Sequence, residues 1–180
     1  GYNIPEINEA VSEQMKNIVH TSTLYLIPEM IELAERIADL SGIENAKVFF
    51  TSSGSEANDA ALLLASTYRQ SNQIFAMRNS YHGRSFSTMP VTGNRAWSAS
   101  SFSPFQTSYI HGAYKFRSPM KDASDEEYID FARADAIDML GTSTSGNVAA
   151  IIAEPIQGVG GFAMPPDFMY KAIKEETDKN

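Results

Sequence analysis

Apolar positions recur at helical spacing near the start of the chain. Ile7, Ala10, Val11, Met15 and Ile18 fall near one face and predict a helix over 5–20. A second helix is predicted over 28–40. Pro28 suits its first turn, and Ile27, Met30, Ile31, Ala34, Ile37 and Ala38 follow the 3.6-residue period. Ser41-Gly42 should stop it. Lys47-Val48-Phe49-Phe50-Thr51 reads as a short β-type run, and Ser52 to Ser55 as a turn. From about Ser55 to Arg69 the pattern is helical again. It is apolar almost all round through Ala60, Ala61, Leu62, Leu63, Leu64 and Ala65, which predicts burial between other elements.

The alternation continues to the end. Gln73–Met77 and the weaker Thr107–His111 are strand candidates. Between them, residues 79–106 are rich in Ser, Gly, Asn and Pro without a period. A stretch of that length is usually functional or pinned by tertiary contacts. Ser124-Asp125-Glu126-Glu127 is a capping box. It opens a helix with Tyr128, Phe131, Ala132, Ala136, Met139 and Leu140 on one side. Val148-Ala149-Ala150-Ile151-Ile152-Ala153 is unbroken and apolar, the pattern of a parallel strand buried on both faces. Another helix is predicted over 167–178. Strands separated by helices point to an α/β fold with a mainly parallel sheet.

Composition narrows the chemistry. The 180 residues are 43% hydrophobic and 20% charged, which is a globular balance, and the net charge is −8. That charge argues against nucleic acid or an anionic membrane as the main partner, while leaving room for a small anion held by local donors. With no cysteine, disulfides, thiolate metal sites and cysteine nucleophiles are excluded. The three histidines, His20, His82 and His111, have no metal-ligand spacing. No apolar run approaches the ~20 residues of a membrane helix.

Three candidate loops stand at strand ends. Ser53-Gly54-Ser55-Glu56 marks a strand-to-helix turn, where free N–H groups and the helix dipole favour an anion. The motif is neither a Walker loop nor GxGxxG. It also fits a plain N-cap, since Ser53-x-x-Glu56 is a capping box. Asn79-Ser80-Tyr81-His82-Gly83-Arg84 follows the next strand, where α/β sheets bind ligands. There a ring can stack on a flat cofactor and an arginine can fork onto a carboxylate. The bland reading is a surface turn. Glu154, in Ala153-Glu154-Pro155-Ile156-Gln157-Gly158-Val159-Gly160-Gly161, closes an apolar strand. It needs a partner there, whether its role is structural or functional.

Taken in order, Ser-Gly-Ser-Glu-Ala-Asn, Tyr-His-Gly-Arg and Glu-Pro-Ile-Gln-Gly resemble the class III pyridoxal-phosphate aminotransferases of fold type I. The likeness begins at His20-Thr21-Ser22 and the Leu33-Ala34-Glu35 helix and runs to about residue 170. It looks nearest to the alanine–glyoxylate aminotransferase 2-like branch, because Val159 stands where the ornithine branch has a glutamate. The resemblance implies a three-layer α/β fold with a mainly parallel sheet. Residues 1–45 would be an N-terminal helical segment, and 46–180 the first part of the cofactor-binding large domain.

The same resemblance implies pyridoxal 5'-phosphate as cofactor. Gly54 and Ser55, with Ser53 beside them, would hold its phosphate. Tyr81 would stack on its ring, and His82 and Gly83 would complete that loop. Arg84 would meet a substrate carboxylate. Glu154 would lie near the substrate, bonded to the aspartate that holds the pyridine nitrogen. That aspartate and the family's Schiff-base lysine are implied further toward the C-terminus. None of the seven lysines here, Lys16, Lys47, Lys115, Lys121, Lys171, Lys174 and Lys179, stands in that context. The chain therefore reads as the N-terminal part of such an enzyme, without its catalytic lysine and inactive alone. Amino-acid and oxo-acid substrates, a homodimer and a cytoplasmic or mitochondrial-matrix location are implied for the whole. The alternative is a non-catalytic phosphate-cofactor-binding or interaction fragment.

Overall fold

Pro5 and Pro28 sit in the first turns of α1 (Pro5–Asn17) and α2 (Pro28–Ser41), where the missing N–H costs nothing. Gly42 ends α2 in the left-handed conformation at φ 66°, as the Ser41-Gly42 pair predicts. The computed structural model describes residues 1–99 and 102–179, in two compact units, Gly1–Phe50 and Thr51–Asn180. In the first unit, Ile7, Val11 and Met15 of α1 and Ile31, Leu33 and Ile37 of α2 remain exposed, while Met30, Ala34 and Ala38 are half-buried.

The β-type run at Lys47–Thr51 forms no strand among the described residues. Its aromatic and branched side chains favour extended backbone, but a strand also needs a ladder partner, and none pairs with it.

In the second unit, α3 (Gly54–Arg69) leads into β1 (Gln73–Met77). A long loop then reaches β2 (Gln106–Ile110), and α4 (Asp125–Ser143) connects to β3 (Val148–Ile152) and α5 (Met169–Thr177). Both halves of the capping box at Ser124 and Glu127 are formed. The sheet order is β2-β1-β3, parallel throughout, with Gln73 opposite Gln106 and Met77 opposite Ile110.

As the central strand, β1 alternates between two cores. Ile74 and Ala76 join Leu62 of α3 and Val91, whereas Phe75 and Met77 join Tyr128, Ala132 and Ala136 of α4 and Met169 and Ile173 of α5. Helix, sheet, helix is the three-layer arrangement that the sequence predicts. Two expectations of burial change. β3 is only half-buried along its length, because it pairs on one side alone and edges the sheet. In α3 only Leu62 is buried, while Leu63, Leu64 and Tyr68 face outward. An all-apolar helix surface does not say which element will cover it. Among the described residues, no helix is long and apolar enough to cross a membrane.

Candidate active site

The N-terminus of α3 is capped from its own sequence. Ser53, extended at φ −155°, accepts through Oγ from the Glu56 N–H at 3.2 Å. The Glu56 carboxylate accepts not from the N-cap but from the preceding Ser52 N–H, at 2.7 Å, so the reciprocal half of the predicted capping box does not form. These bonds leave the Gly54 and Ser55 N–H groups with no acceptor among the described residues. A Cβ at Gly54 would meet nothing within 4 Å, so the backbone there is uncrowded. The N-cap does not compete with an anion for the first two N–H groups, because it consumes only the third.

The loop after β1 is built the opposite way. Asn79 turns it in the left-handed region at φ 64°, and its N–H donates to the Gly93 carbonyl at 2.8 Å. Ser80, Thr88, Val91 and Thr92 are fully buried. The His82 N–H donates to Thr92 Oγ1 at 3.1 Å. Gly83 has φ 135°, and a Cβ there would fall 2.4 Å from Ser55 Oγ and 2.6 Å from Thr88 Oγ1. Of the aperiodic stretch 79–106, residues 100 and 101 lie outside the described residues.

α3 and this loop are bonded together. Asn58 Nδ2 donates to the His82 carbonyl at 2.8 Å, and the Arg84 N–H donates to Ser55 Oγ at 3.3 Å. Since Ser55 Oγ is an acceptor here, its own proton is left to donate elsewhere. Glu154, just past β3, closes the third side. One carboxylate oxygen accepts from the Tyr81 N–H at 2.7 Å and the other from the Gly158 N–H at 3.0 Å. The partner the sequence demanded for Glu154 is backbone. The Glu154 carbonyl also accepts from Tyr170 Oη at 3.0 Å. Burial, then the nearby Glu154 charge, push the Tyr170 hydroxyl up to about 12, so it stays a neutral donor.

The structure therefore brings Ser53, Gly54, Ser55, Tyr81, His82, Gly83 and Glu154 together at the carboxyl ends of β1 and β3. The Tyr81 ring meets Trp97 edge-on, with centroids 5.6 Å apart. His82 is buried, and Nε2 has no hydrogen-bond partner among the described residues. Burial lowers its pKa to about 4, so the ring is neutral at pH 7. Arg84 joins the site through its backbone, and its exposed guanidinium makes no ion pair among the described residues. Each lysine of the second unit is paired with a carboxylate: Lys115 with Asp125, Lys121 with Asp122, Lys171 with Glu175, Lys174 with Asp178 and Lys179 with Glu176. No cluster among the described residues could hold a metal ion.

Asn58, which closes the Ser-Gly-Ser-Glu-Ala-Asn motif, carries part of this geometry, and so do Asp59, Thr88 and Thr92, which stand in none of the three motifs. The i, i+3, i+4 spacing of Ser55, Asn58 and Asp59 was the available signal.

This site lies on the fold of a known family. Residues 1–180 match the model for Aminotransferase class-III, and the chain belongs to that family. It is 32% identical to an acetylornithine aminotransferase of Methanothermobacter thermautotrophicus, covering 100% of this chain and 40% of that protein. It is 34% identical to the mitochondrial alanine–glyoxylate aminotransferase 2 homolog 2 of Arabidopsis thaliana, covering 97% of this chain and 36% of that one. Among solved structures, an (S)-enantioselective omega-transaminase from Thermomicrobium roseum matches with a TM-score of 0.87 and 30% identity, over 99% of this chain and 42% of that one. An amine transaminase of an uncultivated Pseudomonas species, solved in a PLP-bound form, shares the fold with a TM-score of 0.89 at 24% identity, over 99% of this chain and 43% of that one. The chain thus spans about 40% of the length of the curated relatives it matches.

Proposed function

We propose that the protein carrying this chain transfers an amino group from an amino acid to an oxo acid with pyridoxal 5'-phosphate. This chain would supply the phosphate cup and the ring-stacking loop. The observation that carries the reading is the pair of N–H groups at Gly54 and Ser55 that have no acceptor among the described residues, on a helix start whose Ser55 hydroxyl accepts from the Arg84 N–H. Two such donors suit a phosphate, and His82 of the bonded loop has an Nε2 without a partner among the described residues. When bound, pyridoxal phosphate supplies the electron sink for the loss of a proton from the substrate carbon.

The residues of this chain bind and orient. Gly54 and Ser55 would hold the phosphate through their N–H groups, and the Ser55 hydroxyl would donate a further bond. Tyr81 would present its ring to the pyridine, kept at its height by Glu154. His82, being neutral, would add no charge to the site. Arg84 extends from the same loop and is free to meet a substrate carboxylate. A homodimer would cover apolar side chains that are now exposed, Trp97 and Phe102 among them.

The test is equilibrium dialysis of the full-length protein with pyridoxal phosphate and with pyridoxal, which lacks the phosphate. Gly54→Val should abolish the preference for the phosphorylated form. Tyr81→Ala should weaken both ligands by about 1 kcal/mol, with Tyr81→Phe close to wild type. An undiminished preference in Gly54→Val would refute the cup. Tight cofactor binding without amino transfer to any oxo acid would favour the non-catalytic alternative.

A further inference from the structure

Ser55, Asn58 and Asp59 share one face of α3, and all three side chains bond to segment 82–88. Asp59 ends that row. Its Oδ1 accepts from Ser85 Oγ at 2.6 Å and also from Ser87 Oγ. Ser85 and Thr88 are tied to each other three times. The Ser85 N–H donates to Thr88 Oγ1 at 3.0 Å, the Thr88 N–H donates to Ser85 Oγ at 3.1 Å, and the two hydroxyls are 2.7 Å apart. Thr88 is fully buried against Gly83, which in turn lies against Ser55. The contacts thus run Asp59, Ser85, Thr88, Gly83, Ser55 and return to α3. Asp59 is half-buried and has no cationic partner among the described residues, so the serine hydroxyls are what hold its carboxylate.

We propose that Asp59 is a positioning residue for the cofactor phosphate. By holding Ser85 and Ser87 it keeps Gly83 and the Arg84 N–H against Ser55. The Arg84 N–H then occupies a lone pair of Ser55 Oγ, and the Ser55 proton points away from the loop. Without Asp59, two hydroxyl donors lose their acceptor, the Ser85–Thr88 turn relaxes, and the Ser55 hydroxyl is no longer set. The inference rests on the phosphate-cup reading above and adds to it which side chain sets the cup.

The experiment uses the full-length protein. Dissociation constants for pyridoxal phosphate and for pyridoxal are measured by equilibrium dialysis, with melting temperatures, in Asp59→Ala, in Asp59→Asn and in the Ser85→Ala/Ser87→Ala double variant. Asp59→Ala should weaken pyridoxal phosphate by about tenfold or more, the scale of charge-assisted hydrogen bonds, and pyridoxal by less than about twofold. Asp59→Asn, which keeps an acceptor of the same shape, should recover much of the loss. The double serine variant should reproduce the Asp59→Ala pattern. If Asp59→Ala does not fold, the serine variant decides by the same ratio, since it leaves α3 intact. Equal weakening of the two ligands, or no change in either, would overturn the inference. Gly54→Val separates the two levels. If it abolishes the phosphate preference while Asp59→Ala retains it, only the role of Asp59 fails. If Gly54→Val retains the preference, the cup fails too.

Discussion

At the start of α3, a Cβ added to Gly54 would meet no atom within 4 Å; in the loop after β1, one added to Gly83 would lie 2.4 Å from Ser55 Oγ, and one at Gly93 2.2 Å from the Met77 carbonyl oxygen. Both segments are rich in glycine and serine, and both flank the same site, yet they do different work. The helix start is capped locally through Ser53 and Glu56, which leaves two N–H donors without an acceptor among the described residues. The loop is buried and held by bonds to α3, to Thr92 and to Glu154. Glycine at the first position stands in uncrowded backbone; glycine at the second lets the protein close on itself. Under the proposed function one segment would receive the phosphate and the other would hold the cup, and substitutions should separate the two.

The largest effect is expected at Gly83. An alanine there combines a strained φ of 135° with a Cβ inside Ser55 and Thr88. Gly83→Ala should cost about 4 kcal/mol in a denaturant titration. A loss below about 1 kcal/mol would mean that the loop can open without penalty.

Acid should attack the same loop through His82. Its folded pKa is lowered to about 4, below the ordinary 6.5 that applies to the unfolded chain. The unfolded chain therefore binds the extra proton first as pH falls. The stability associated with neutral His82 is fully present above about pH 6.5 and is lost as pH falls toward 4, by about 3 kcal/mol in all. In His82→Gln the stability curve between pH 6.5 and 4 should flatten by that amount. Parallel curves for variant and wild type would show that His82 titrates normally.

Glu154→Ala should come next, at about 2 kcal/mol, because it strands the Tyr81 and Gly158 N–H groups together. It should also raise the exchange rate of the Tyr81 amide. Unchanged protection of that amide would remove Glu154 as the anchor of the loop.

The smallest effect on folding is expected at Gly54. Gly54→Ala adds a side chain to a helical first turn with nothing near it, so stability should stay within about 0.5 kcal/mol of wild type. Loss of pyridoxal-phosphate affinity in that same variant would then come from the space a ligand needs. A large drop in melting temperature would blur the contrast with Gly83.

The pattern of apolar residues was sufficient for the elements whose stability is local or two-sided. Gln73–Met77 is the strand predicted, because a central strand buried on both faces is apolar at nearly every position. The capping box at Ser124 and Glu127 is formed as the sequence predicts, since it closes within four residues and needs no distant partner, whereas at Ser53 only the N-cap half forms and Glu56 turns to the Ser52 N–H instead. Two of the three site motifs stand at strand ends as predicted, after β1 and β3, while Ser53–Glu56 opens a helix that no strand precedes among the described residues.

What depends on a partner far along the chain was decided by tertiary structure. Lys47–Thr51 has the side chains of a strand and no ladder to join. Leu63 and Leu64 are as apolar as Leu62, yet only Leu62 finds Ile74 and Ala76 across the sheet face. The loop 79–93 shows no period because side chains bonded to distant backbone hold it, and such bonds leave no repeat in the sequence. Residues 55, 58 and 59 can be seen to share a helix face from their spacing alone. That this face grips residues 82–88 follows only once β1 carries that loop back alongside α3, because hydrogen bonds spanning 24 to 29 residues are made by the fold and not by the neighbourhood of each residue in the chain.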